Sequence, residues 1–212
     1  ELGQVYLGVG NGDPWEYELR SKSTGDNLFL ASIVALDADT GEYRWHYQTT
    51  PRDRWDYTAT QQIMLADLPL GTGGADRRVV MQAPKNGFFY VLDAADGELI
   101  SATPFTNQNW TTGEFDENGR PVLVEEAVDL ALYAVIPGPT GAHNWHPMAF
   151  NPDTGLVYIP VNEIPFFYDK TRNVDDSKSF WNLGYDAAAG WPMEYPAGTL
   201  DAIADMDGGS LL

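Results

Sequence analysis

Ala35-Leu36-Asp37-Ala38-Asp39-Thr40-Gly41-Glu42-Tyr43-Arg44-Trp45 is the stretch that decides the fold. An apolar run ends at Asp37, a turn closes at Gly41, and a second apolar run carries Trp45. An Asp or Asn side chain accepts hydrogen bonds from the backbone just after it, and Gly takes the positive φ that such a turn requires. The unit recurs as Val91-Leu92-Asp93-Ala94-Ala95-Asp96-Gly97 and as Ala149-Phe150-Asn151-Pro152-Asp153-Thr154-Gly155. Asp37, Asp93 and Asn151 are 56 and 58 residues apart. A β unit of that length, repeated along a chain, predicts propeller blades stacked face to face. The 212 residues hold about 3–4 such units. The Trp stands only in the first copy; Ser101 and Ile159 occupy the matching positions in the others.

Outward from these turns, segments 5–9, 32–36, 43–47, 78–82, 88–92, 148–151 and 157–161 read as short apolar strands. The longer connections 12–28, 103–142 and 163–208 read as loops that cap the face where substrate enters. Helical periodicity is weak, and only 125–132 predicts a short helix. Residues 3–9 read as a strand already under way, and 207–212 as the start of another blade strand. The expectation is one all-β domain over 1–212, an internal piece of a larger propeller incomplete at both ends.

The composition is 43% hydrophobic and 13% aromatic, enough for a packed core and unlike a disordered chain. Without cysteine, the 212 residues carry no disulfide, thiolate metal site or Cys-x-x-Cys-His haem attachment. The charge of −19, from 12 basic and 31 acidic residues, argues against a nucleic-acid partner. No apolar run is long enough to span a membrane, and no signal-peptide pattern opens the chain.

Four segments carry the chemistry: Gly8-Val9-Gly10-Asn11-Gly12-Asp13, Arg54-Trp55-Asp56-Tyr57-Thr58, Ala83-Pro84-Lys85-Asn86-Gly87 and Gly141-Ala142-His143-Asn144-Trp145-His146. Taken singly, each has an ordinary structural explanation. Asn11 among glycines makes a tight turn, and Asp56 caps a loop. Lys85 is a surface residue of an Asn86-Gly87 hairpin of type I′. The glycine cluster is no dinucleotide loop, because Asp13 stands where a third Gly is needed. His143 and His146 lack a familiar third ligand for zinc. Asn109-Trp110-Thr111 fits an N-glycosylation sequon.

In order and spacing, the four segments together resemble the alcohol dehydrogenases that use pyrroloquinoline quinone (PQQ) and calcium, closest to the quinoprotein and quinohaemoprotein enzymes. Ala35 to Trp45 likewise resembles the tryptophan-docking motif of eight-bladed quinoprotein propellers, in which the indole packs between blades. The resemblance implies an oxidoreductase acting on CH–OH groups in the periplasm, passing electrons to a cytochrome c or a quinone. It assigns Asp56 as general base and calcium ligand, and Asn11 as a second calcium ligand. Lys85, Asn144 and Trp145 would contact PQQ, with Lys85 beside the quinone oxygens. Thr58 stands where lanthanide-dependent relatives carry an extra carboxylate, which favours calcium. The family's glutamate calcium ligand, its Trp beneath PQQ and its adjacent Cys pair are expected upstream of Glu1, and a haem c domain is an option downstream. This implies that the 212 residues alone bind PQQ poorly and turn nothing over. The acidity reads as solubility, or as attraction of a basic electron acceptor. Two alternatives stay open. One is a quinoprotein dehydrogenase for a polyol, a sugar or polyvinyl alcohol; the other is a scaffold propeller built on the same blade motif without catalysis.

Overall fold

A computed structural model describes residues 2–22, 24–129, 131–169 and 183 of the chain. The predicted strand at 207–212 and most of the 163–208 connection lie outside them.

Two antiparallel sheets form the body. The first has three strands in sequence order: β1 (Gln4–Gly8), β2 (Ser32–Asp37) and β3 (Tyr43–Gln48). The second has four: β4 (Met64–Leu68), β5 (Arg77–Gln82), β6 (Phe88–Asp93) and β7 (Leu99–Pro104). Up-and-down order of sequential antiparallel strands is what a propeller blade requires. The central strands β5 and β6 are buried on both faces, whereas the edges β1 and β4 alternate between half-buried and exposed. That contrast follows from the two-residue period of a strand and from having a neighbour on one side or both.

The repeated turns behave as their residues dictate. Asp37 Oδ1 accepts from Asp39 N and Thr40 N, Asp93 Oδ1 from Ala95 N, and Asn151 Oδ1 from Asp153 N and Thr154 N. In each, the Gly N–H returns to the carbonyl of the Asx residue at 2.9 Å, with φ of +73°, +79° and +69°.

The sheets stack through their side chains. Val80, Phe88, Tyr90 and Leu92 of the second sheet share one core with Ile33, Ala35, Trp45 and Tyr47 of the first. The opposite face, Val79, Met81 and Val91, packs with Phe150 from the third repeat. Trp45 is the joint. Its Nε1 donates to Gln4 Oε1 at 3.1 Å and to Ala94 O at 3.2 Å, and its ring lies on Gly97, where a Cβ would come within 2.5 Å of it. The indole of one unit thus seats on the turn of the next, as the docking motif implies.

Segment 103–142 is not a loop, contrary to expectation. It holds the hairpin β8 (Thr111–Phe115) and β9 (Pro121–Leu123), the helix α1 (Glu125–Asp129) and β10 (Ala131–Val135). The helix is therefore shorter than 125–132: its last residues join β10 instead. A second one-turn helix, Tyr17–Arg20, lies within 12–28. The third repeat forms the hairpin β11 (Ala149–Asn151) and β12 (Leu156–Tyr158), and β13 (Phe166–Asp169) pairs with β10. Among the described residues no helix is long and apolar enough to cross a membrane.

Candidate active site

Asp56 sits in a connection between β3 and β4 that is buried almost throughout. Trp55, Tyr57 and Ala59 are fully buried, and Asp53 and Arg54 nearly so. A buried loop must satisfy its backbone polar groups internally. Here side chains from distant elements do so. Tyr168 Oη donates to Trp55 O at 2.8 Å, and Gln82 Nε2 donates to Ala59 O and Gln61 O at 2.6 and 2.8 Å. Arg20 Nη2 donates to Asp53 O, and Arg54 Nη1 to Val128 O, both at 2.6 Å. Trp55 Nε1 reaches Ala127 O at 3.1 Å, and Tyr57 Oη donates to Pro137 O. The Trp55 and Tyr57 rings pack on Trp110, as structural rather than substrate-contacting groups.

Asp56 itself has φ +66°, a left-handed backbone uncommon outside Gly, Asn and Asp. Its side chain is 17% exposed and lies against Lys85, which is 9% exposed. Lys85 Nζ donates to Asp56 Oδ2 at 2.8 Å and to Asp56 O at 3.0 Å. Burial pushes the Asp56 carboxyl above its ordinary value, and the Lys85 ammonium opposes that rise. Lys85 is no surface residue. Nor is its turn of type I′, since Asn86 lacks the positive φ which that turn demands. Asn86 is buried instead, and its Nδ2 donates to Thr49 O, Thr50 Oγ1 and Tyr90 Oη, tying this turn to the start of the Asp56 loop.

The fourth segment rests on Lys85. Ala142 N donates to Lys85 O at 2.9 Å, and a Cβ on Gly141 would fall 2.4 Å from Lys85 Cγ. His143 is fully buried, with Nδ1 at 2.5 Å from Ala83 O and Nε2 at 2.6 Å from His146 O. Both nitrogens are taken, so the pair His143 and His146 offers no zinc site. Asn144 Nδ2 donates to Thr140 O at 3.0 Å, and Trp145 is 82% exposed, its ring tilted against that of His146 with centroids 6.0 Å apart.

Asn11 follows the end of β1. Its Nδ2 donates to Gly12 O at 3.2 Å, and its Oδ1 accepts no hydrogen bond among the described residues. Val9 O accepts from Ala59 N, which joins this segment to the one carrying Asp56. Thr58 is buried, and its Oγ1 accepts from Gln61 Nε2 at 2.9 Å. The structure thus unites Asp56 with Lys85 and seats the Asn144–Trp145 loop on Lys85. It brings Asn11 to the Asp56 segment through backbone pairing and shows no bond between Asn11 and Asp56. Among the described residues there is no cluster of three His, Cys, Asp or Glu able to hold a metal. The Asp56 carboxylate and the Asn11 amide oxygen are hard donors of the kind calcium takes, but calcium needs about six to eight oxygens. The rest would have to come from outside these residues. Asn109 and Trp110 of the sequon are engaged internally, with Asn109 Nδ2 on Ala134 O and Trp110 buried. The sequence reading missed one neighbour of the site, Asp53, and gave Gly141, though within a quoted segment, no role of its own. The only local signals were an Asp placed two residues before a needed N–H and a Gly in a Gly-Pro-Thr-Gly run.

Residues 1–114 match the family model described as PQQ: Glucose/ethanol/alcohol dehydrogenase, beta-propeller domain. The chain belongs to this family. Against a quinohemoprotein alcohol dehydrogenase of Comamonas testosteroni, this PQQ-family chain is 54% identical over 183 residues, 86% of its own length. It spans 25% of the length of that relative. It superposes on the solved quinohemoprotein alcohol dehydrogenase ADHIIG of Pseudomonas putida HK5 with a TM-score of 0.80 at 51% identity. That match covers 87% of this chain and 28% of the other. A europium-containing methanol dehydrogenase matches at 36% identity and a TM-score of 0.72, covering 79% and 29%.

Proposed function

We propose that residues 1–212 form part of the propeller domain of a periplasmic, PQQ- and calcium-dependent alcohol dehydrogenase that delivers electrons to a cytochrome c or a quinone. The observation that carries this reading is the pairing of the buried Lys85 with the half-buried Asp56. A half-buried carboxylate with one oxygen held by a cation keeps its second oxygen for a proton, and the ammonium opposes the rise in pKa that burial causes. Asp56 takes the proton from the alcohol hydroxyl. Lys85 orients the carboxylate and sets a positive charge at a water-poor position. Asp56 and Asn11 would hold calcium, and Lys85, Asn144 and Trp145 would contact PQQ. When bound, PQQ supplies the two-electron acceptor for the hydride of the alcohol carbon, and calcium the Lewis acid beside it. Thr58 supports calcium over a lanthanide, because a neutral hydroxyl bonded to Gln61 adds no anionic oxygen. A scaffold propeller would have no use for an ammonium and a carboxylate enclosed together, since burying such a pair gives little stability.

The test uses the full-length, PQQ-loaded protein. Asp56→Asn should cut kcat by about 10²–10⁴-fold, the usual contribution of a general base. Calcium should restore the metal-depleted wild type better than lanthanum does. Near-native kcat for Asp56→Asn would sink the assignment of the base, and full activity with lanthanum alone the assignment of the metal.

A further inference from the structure

We infer that Asp53 is a positioning residue that holds Asp56 in its left-handed backbone by bridging the amides on either side. The inference rests on the reading of Asp56 as the base. Asp53 Oδ1 accepts from Trp55 N at 3.2 Å and from Tyr57 N at 3.0 Å. Only Trp55 and Asp56 lie between those two amides, so one oxygen closes their backbone torsions together. Asp56 then adopts φ +66°, which the chain would leave if it were not held there. The anchors on each side reinforce the closure. Trp55 is fixed through Nε1 to Ala127 O and Tyr57 through its hydroxyl to Pro137 O, so neither flank turns to relieve the strain. Arg20 pins the Asp53 carbonyl from below. Lys85 Nζ meets both the carboxylate and the carbonyl of Asp56, a double contact that depends on this backbone.

An acid in this place needs its own explanation. Asp53 is 1% exposed, and its Oδ2 has no hydrogen-bond partner. Burial pushes the carboxyl up to about 7, with Asp56 adding to the rise while the Tyr57 amide and Arg20 oppose it. Oδ1 alone meets both amides, and Oδ2 meets no partner. What the site needs is therefore the acceptor oxygen at that reach and not the charge. Asparagine keeps the oxygen and the reach; alanine keeps neither.

The experiment compares Asp53→Ala, Asp53→Asn, Asp56→Asn and the Asp53→Ala/Asp56→Asn double variant in the full-length, cofactor-loaded protein. Turnover is counted per bound cofactor, well below the unfolding temperature. Asp53→Ala should lower kcat about 10–100-fold with KM within about threefold, because a misplaced base costs rate and not affinity. Asp53→Asn should return kcat to within about threefold of wild type. The double variant should be no slower than Asp56→Asn alone, since there is no base left to misplace. The crystal structure of Asp53→Ala should show residue 56 moved away from φ +66°. Should Asp53→Ala fail to accumulate, Asp53→Ser, too short to reach both amides, takes its place. The proposal is overturned if Asp53→Ala keeps kcat within threefold while Asp56→Asn collapses, or if Asp53→Asn is as slow as Asp53→Ala. Near-native turnover in Asp56→Asn would instead remove the base reading, and the φ of residue 56 in the Asp53→Ala crystal would then decide the positioning role alone.

Discussion

Lys85 reaches Asp56 only because nothing projects from position 141. Gly141 has φ +79°, and a Cβ there would lie 2.4 Å from Lys85 Cγ and 2.8 Å from His143 O. Gly141→Ala adds one methyl where both the backbone and the ammonium stem must give way. Overpacking of this kind costs about 1–3 kcal/mol. Turnover should fall at least about tenfold as Lys85 leaves the carboxylate, since small displacements at a reacting centre are expensive. Chemical unfolding and steady-state kinetics of the full-length variant would measure both, and unchanged kcat would mean that the placement of Lys85 does not limit the rate. At this scale the sequence was partly legible. Asp56 and Lys85 stood out through the words around them. Their direct pairing did not, because it spans 29 residues and depends on how the sheets stack. Asp53 was illegible for a related reason: an Asp before Arg and Trp looks like a surface turn until burial is known.

Between elements, the decisive contact is Trp45 on Gly97. Trp45→Ala would remove the ring that joins the first sheet to the turn of the second, together with its bonds to Gln4 and Ala94. Large-to-small changes of a buried aromatic cost about 3–5 kcal/mol. The unfolding midpoint should drop accordingly, and Gly97→Ala should reproduce part of the loss by pushing the indole out. Equal stability of Trp45→Ala and wild type would show that the sheets are held elsewhere. Strands flanking the Asx–Gly turns were readable because those turns are closed by their own side chains. Strand β4 and segment 103–142 were not. Edge strands such as Met64–Leu68 and Thr111–Phe115 carry alternating or polar residues, and only their partners make them strands. The burial of the Asp56 loop was equally opaque, since Trp55 and Tyr57 pack on Trp110, more than 50 residues away in the chain.

For the whole chain, the two sheets stack, and apolar residues remain open at both sides. Val5 and Leu7 on β1 and Leu156 and Tyr158 on β12 are exposed. In a protein as long as its relatives, of which this chain matches about a quarter, further blades would cover such faces. The 212 residues expressed alone should therefore self-associate as salt rises. Their charge of −19 repels at long range, but salt screens that beyond about 8 Å at physiological strength. Covering a few hundred Å² of apolar surface yields several kcal/mol at about 25 cal/mol per Å². Ultracentrifugation at low and moderate salt would reveal it, and a monodisperse monomer at both would contradict the expectation.

The clamped loop around Asp56 also bears on evolution and protein engineering. A catalytic acid carried on a surface loop can be exchanged, lengthened or randomised at little expense to the rest of the molecule. The Asp56 loop is bonded by Gln82, Tyr168, Arg20, Ala127, Val128 and Pro137, so almost any change in it is a change of the core. If the proposed alcohol dehydrogenase reading holds, diversification toward new alcohols must act outside 53–61, at exposed positions assigned neither to calcium nor to PQQ. Libraries aimed at altered specificity should leave 53–61 untouched, together with Asn144 and Trp145.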